Sequence, residues 1–141
     1  MRRGVTLVEL MLVLAVAGIL FGVAVPALSL LLDSLAVHAA ISHIEAAHAR
    51  ARLLAITRGK VITLAIDSAR IAISPRNDTL ALWSEAGPSA QRVHLEGAQR
   101  QFTFSPEGFT LGVSNASLQL SRGATRQTLV ISRLGRVRVL P

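Results

Sequence analysis

Three groups of residues in this 141-residue chain have the type and spacing to do chemistry. Glu9 stands at the head of an apolar run, and from Leu10 to Leu32 no charged residue follows it. A carboxylate taken into lipid is costly and is retained where it has a partner and a task. At the other end, the last acidic residue is Glu107, after which Arg122, Arg126, Arg133, Arg136 and Arg138 stand unopposed. A cationic, acid-free segment suits an anionic partner (nucleic acid, acidic lipid or an acidic protein face) or is simply a solvated basic face. The third group, His38, His43 and His48, is spaced by five. Helical zinc ligands stand one turn apart, and a spacing of five rotates successive rings away from each other, so no metal and no cofactor are expected. No Ser/His/Asp set and no phosphate-cradling glycine loop can be assembled, so the chain does not read as an enzyme. It has no cysteine, which excludes disulfides and thiolate metal sites.

The arginines need strands to align them. Along a strand alternate side chains share a face, so Arg136 and Arg138 point one way, about 7 Å apart, while Val137 and Val139 point into the core. That spacing is comparable to the step between successive phosphates on one nucleic-acid strand, and the planar guanidinium fork suits phosphate oxygens. Arg133 lies across the Leu134–Gly135 turn and is placed to join them. The alternative is that Gly135 turns a hairpin and the arginines keep an edge strand soluble. From Lys60 onward short β-like runs alternate with turns: VITLAID, RIAIS, LALWS, RVHL, QFTF, SLQL, TLVIS and RVRVL. SPEG, from Ser105 to Gly108, fits a type I turn, and PRND, AGPS and SRGA also read as turns. Trp83, on an alternating run, reads as core.

Glu9 needs a helix. The uncharged run from Leu10 to Leu32 exceeds the roughly 20 residues that cross a bilayer. Arg2 and Arg3 before it keep the N-terminus cytoplasmic and send the rest outward. A cleaved secretory signal would have a shorter apolar core and a small-residue cleavage site. The helical pattern instead continues, with Val37, Ile41, Ile44, Ala51 and Leu54 on one stripe, a restart capped at Ser34 and a stop at Gly59. Helix is therefore expected from about Thr6 to Arg58, kinked or loosened at Pro26. The stripe would lie on one antiparallel sheet or two small ones, an α+β arrangement.

RRGVTLVELMLVLAVAGILFGVAVPAL resembles the class III signal and first helix of type IV pilins and type II secretion pseudopilins. The resemblance implies that prepilin peptidase cuts after Gly4, that Val5 becomes the N-methylated terminus, and that Glu9 stays in the helix with Pro26 after the apolar core. The family usually has Phe where this chain has Val5. It also implies four segments: leader 1–4, membrane and filament-core helix 5–32, amphipathic half-helix 33–59, and a β-rich pilin domain 60–141. A carboxylate and an ammonium in low dielectric attract strongly and help offset each other's desolvation. Glu9 lies one turn from its own new terminus, and the resemblance implies pairing with the amine of a neighbouring subunit instead.

TLVISRLGRVRVL is similar to the end of the GspH/FimT family of minor pilins and pseudopilins, many of which finish in Gly-Arg-x-Arg, here Gly135, Arg136, Val137 and Arg138. FTFSPEGFTL resembles the strand–turn–strand preceding it. Some members carry a cysteine pair near this end. This chain has none, so packing and hydrogen bonds alone hold its last strand. The resemblance implies a single-pass protein of the bacterial inner membrane with a periplasmic C-terminal domain, taken up into a pilus or pseudopilus with other pilins. Two roles fit it. One is DNA capture by a type IV pilus through the arginine segment, with double-stranded DNA held by its backbone. The other is a structural and initiating role in the type II secretion system, contacting other pseudopilins or secreted cargo.

Overall fold

A computed structural model describes residues 6–78, 80–97, 99–112, 116–132 and 136–140. One helix, α1 (Leu7–Arg58), precedes strands β1 (Ile62–Ile66), β2 (Arg70–Pro75), β3 (Trp83–Ala86), β4 (His94–Glu96), β5 (Arg100–Phe104), β6 (Thr110–Leu111), β7 (Ala116–Arg122), β8 (Thr125–Ile131) and β9 (Val137–Leu140). The chain divides into a unit ending at Leu32 and a unit beginning at Asp33.

In the first unit, Thr6 caps the helix. Its hydroxyl accepts the Glu9 N–H at 3.2 Å and its carbonyl accepts the Leu10 N–H at 3.1 Å. The first contact satisfies a donor that the opening turn leaves without a helical partner, and the second is the first bond of the helix itself. The apolar side chains from Leu7 to Leu32 are exposed, and this stretch is long and apolar enough to cross a membrane. Helix continues through Pro26, whose carbonyl accepts the Ser29 hydroxyl at 2.8 Å, so no break interrupts the secondary structure there.

In the second unit the remaining half of α1 buries Val37, Ala40, Ile41, Ile44, Ala47, His48, Ala51 and Ala55. Four of these are alanines. Leu54, expected on this stripe, is only partly buried, and Ser34 restarts nothing because helix runs through it. The helix stops at Gly59, whose φ of 60° is the left-handed conformation a C-terminal cap requires. The Lys60 N–H bonds the Ala55 carbonyl at 3.3 Å and the Gly59 N–H the Ile56 carbonyl at 3.4 Å, the Schellman pairing.

The strands form two antiparallel sheets, one ordered β3-β2-β1-β5-β6 and the other β4-β7-β8-β9. The alternation in ITLAI places Ile62, Leu64 and Ile66 in the core, opposite Phe104 and Phe102 on β5 and Ile73 and Ile71 on β2. In the second sheet Leu118, Leu120, Leu129 and Ile131 do the same. SPEG closes as expected, with the Gly108 N–H on the Ser105 carbonyl at 2.9 Å. The Ser105 side chain also holds the Glu107 carboxyl below its ordinary range, helped by a backbone hydrogen bond. The β7–β8 turn is fixed from outside. Arg122 pairs with Asp33 at 2.9 Å and donates to the Gln91 carbonyl at 2.8 Å. A side chain at position 123 would collide with the Asp33 carboxylate, and Gly123 itself has a φ of 55°.

One core group is ionisable. His48 is 4% exposed, edge-on to Phe104 with centroids at 5.0 Å and to Phe102 at 6.2 Å, and its Nε2 is buried without a hydrogen-bond partner. Burial, and secondarily the Arg52 charge, lower its pKa from the ordinary 6.5. The unfolded chain therefore binds a proton that the folded one refuses. The stability this confers is complete above pH 6.5 and is lost as pH falls below it. In the full chain in neutral detergent, His48→Leu should flatten the fall in melting temperature between about pH 6.5 and 4.5, read from Trp83 fluorescence, while costing less than about 1.5 kcal/mol at neutral pH. An unchanged acid slope would assign it to other groups.

Candidate functional site

Among the arginines of the C-terminal segment, some are occupied. Arg122 is held by Asp33, and Arg126 lies 3.5 Å from Glu96. Arg136 and Arg138 are exposed and have no ion pair among the described residues. Their backbone is nevertheless fixed. The Ser132 N–H donates to the Arg136 carbonyl at 2.9 Å, and the Arg136 N–H donates to the Ser132 hydroxyl at 3.1 Å. This closes the β8–β9 hairpin ahead of a register that sets Val137 against Ile131, Arg138 against Val130 and Val139 against Leu129.

That register confirms the alternation, with Arg138 on the face opposite Val137 and Val139. Burial corrects half of the expectation about the valines. Val137 packs against the core, but Val139 remains 42% exposed although its partner Leu129 is fully buried. The reason is position: among the described residues β9 is the last strand of its sheet. Arg133 and Gly135 lie outside the described residues, as do Gly4 and Val5.

Glu9 is exposed and occupies the third helical position after the Thr6 cap. TLVE thus has the spacing of a capping box, a local role that the apolar context of the carboxylate obscured. A negative charge there also complements the positive end of the helix dipole. Pro26 lies within the helix of the same unit.

The histidines go separate ways. His43 meets Glu85 on β3 at 2.8 Å, His38 approaches Gln127 at 3.3 Å and the Ser34 carbonyl at 2.9 Å, and His48 is buried. Among the described residues no three His, Cys, Asp or Glu side chains gather to hold a metal. Trp83 sits on the sheet edge, partly buried, with the Arg50 guanidinium 5.0 Å above its ring. It lines a groove of about 380 Å³ with His43 and Glu85, where the His43–Glu85 hydrogen bond and the Arg50–Trp83 contact tie α1 to β3.

Comparison with known proteins supplies the family. Residues 40–135 match the model of the type II transport protein GspH, and residues 1–25 match the prokaryotic N-terminal methylation motif. Pilin-like protein PilA1 of Thermus thermophilus is 31% identical over 98% of this chain and 98% of its own length. Two crystal forms of the type IV minor pilin FimU of Pseudomonas aeruginosa share the fold at 16% identity over 74% of this chain, with TM-scores of 0.59 and 0.58. They are covered over 88% and 92% of their own lengths. A match to the GspH model over residues 40–135, a methylation motif at the head of the helix and a pilin-like relative over nearly the whole length together place this chain in the GspH family, as a pilin-like protein with an N-terminal methylation motif.

Proposed function

We propose that this subunit contacts duplex DNA through its last strand, as a FimT-like member of a type IV pilus engaged in DNA uptake. The observation that carries this reading is the contrast within the cationic segment: Arg122 and Arg126 have acidic partners, whereas Arg136, just before the edge strand, and Arg138, on it, stand exposed with no ion pair among the described residues. Arg133 and Gly135 complete the segment. Recognition is of phosphates and not bases, because no aromatic side chain lies near enough in sequence to stack on an exposed base. Affinity is modest, steeply salt-dependent and raised by repetition along a filament.

A second reading keeps the subunit in a type II secretion pseudopilus, where the domain contacts other minor pseudopilins or cargo. It is favoured by the GspH description of the matched family and by the end of that match at residue 135, just before the two free arginines. Both readings share the membrane end. Prepilin peptidase cuts after Gly4, Val5 is methylated, and the first half of the helix anchors the subunit in the inner membrane. The N-terminus is cytoplasmic and the β-rich domain periplasmic. Within a filament Glu9 then meets the ammonium of a neighbouring subunit, and Pro26 follows the apolar segment that packs there.

The two readings are separated by titrating fluorescent duplex DNA with the full chain in non-ionic detergent across a salt series. Arg136→Gln and Arg138→Gln should each reduce the log–log salt slope by about 0.9 and together weaken binding roughly tenfold, about 1.4 kcal/mol. Binding indifferent to both changes excludes this contact. At the membrane end, Gly4→Leu should leave the precursor mass intact in cells containing the peptidase. Glu9→Val should be inserted and cut normally yet be depleted from sheared filaments, and its normal incorporation would rule out the pairing role.

A further inference from the structure

The register of the second sheet collects more than β9 on one face. Opposite Arg138 comes Val130 and then Ser117; beside them run Leu140, Thr128, Gln119 and Glu96, and next Arg126, Ser121 and His94. The other face of the same strands carries the buried Leu118, Leu120, Leu129 and Ile131. The outer face therefore carries hydroxyls, an amide and arginines, with Val130, Leu140 and His94 among them. Arg126 and Arg138 lie four residues and one strand apart in this register, about 14 Å between their backbones at ordinary strand rise and spacing. Hydroxyl and amide side chains, like arginines, serve as phosphate partners on nucleic acids.

One acidic group interrupts this surface. Glu96 lies 3.5 Å from Arg126, whose side chain is 62% exposed. With the Gln119 amide oriented to satisfy both neighbours, its nitrogen donates to Glu96 Oε2 at 2.7 Å and its oxygen accepts from Arg126 Nε at 3.3 Å. A single carboxylate thus engages Arg126, which among the described residues extends the Arg138 contact across this face of the sheet. An exposed pair of this kind is worth little and competes poorly with a phosphate, but its carboxylate also repels the approaching backbone.

We propose that the outer face of the β4-β7-β8-β9 sheet is the continuation of the DNA contact, with Arg126 as a further phosphate-binding residue and Glu96 as the group that weakens it. This rests on the reading that β9 binds DNA. The test uses the full chain in non-ionic detergent and a fluorescent duplex of random sequence. Glu96→Gln keeps the hydrogen-bonding partner of Gln119 and removes the charge. It should tighten binding about fivefold at low salt and steepen the salt slope by about 0.9, one additional phosphate. Adding Arg126→Gln to Glu96→Gln should abolish the gain. Asp78→Asn, the same charge change on the β2–β3 connection of the other sheet, should leave affinity unchanged. Equal tightening by Glu96→Gln and Asp78→Asn would reduce the effect to net charge and overturn the proposal. No gain from Glu96→Gln while Arg138→Gln still weakens binding would overturn it and leave the β9 contact standing. Binding insensitive to Arg138→Gln would remove the β9 contact and this extension together.

Discussion

The second unit depends on one side of one half-helix. Ala40, Ala47, Ala51 and Ala55 on α1 are almost fully buried, in one apolar core with Ile44, Ile62, Leu64, Phe104, Leu118 and Leu129. Neither sheet could bury its apolar face without the helix, and the helix could not bury its stripe without them. Burial of such side chains stabilises by roughly 1.5–3 kcal/mol each before the entropy of ordering is subtracted. The buried imidazole of His48 is the exception in that layer, a polar group held among phenylalanine rings.

Much of this was legible in the chain. Strands whose alternation is regular, such as ITLAI and SLQL, appear where the pattern places them, because both faces of the strand see different solvents. The run LALWS was placed too early. β3 begins at Trp83, since Asp78 binds the Leu80 N–H in a turn and Ile73 pairs with Trp83. β6 has only Thr110 and Leu111, too short for any period to register. The hydrophobic stripe in the sequence runs through Leu54, which is only half-buried, and misses Ala40, Ala47, Ala55 and His48, which are buried. Small or polar residues contribute little to a hydrophobic pattern even where packing is tightest.

The candidate site was legible in composition and not in its pairing. Counting signs along the sequence marks the whole C-terminal segment as cationic, yet Asp33 is 89 residues from Arg122 and Glu96 is on a strand of its own. Only the folded arrangement separates arginines that are neutralised from those with no ion pair among the described residues. The same holds for Val139: alternation assigns its face, but the absence of a neighbouring strand decides its exposure. Thr6 and Glu9 are the reverse case, since the capping spacing is plain in the sequence and was overshadowed by the cost of a carboxylate in lipid.

The contact between Asp33 and Arg122 also has a temporal meaning. It joins the beginning of the second unit to the tip of a late hairpin, with Gly123 seated against the carboxylate. A ribosome delivers the helix long before that hairpin, and closing so long a loop costs entropy that no local contact returns at once. The first sheet is made earlier and shares the core of the alanine stripe, but that core is complete only when β7 and β8 add Leu118, Leu120, Leu129 and Ile131. Until then the second unit keeps incompletely covered apolar surface, and the Asp33–Arg122 clasp marks the point in synthesis at which that surface can close.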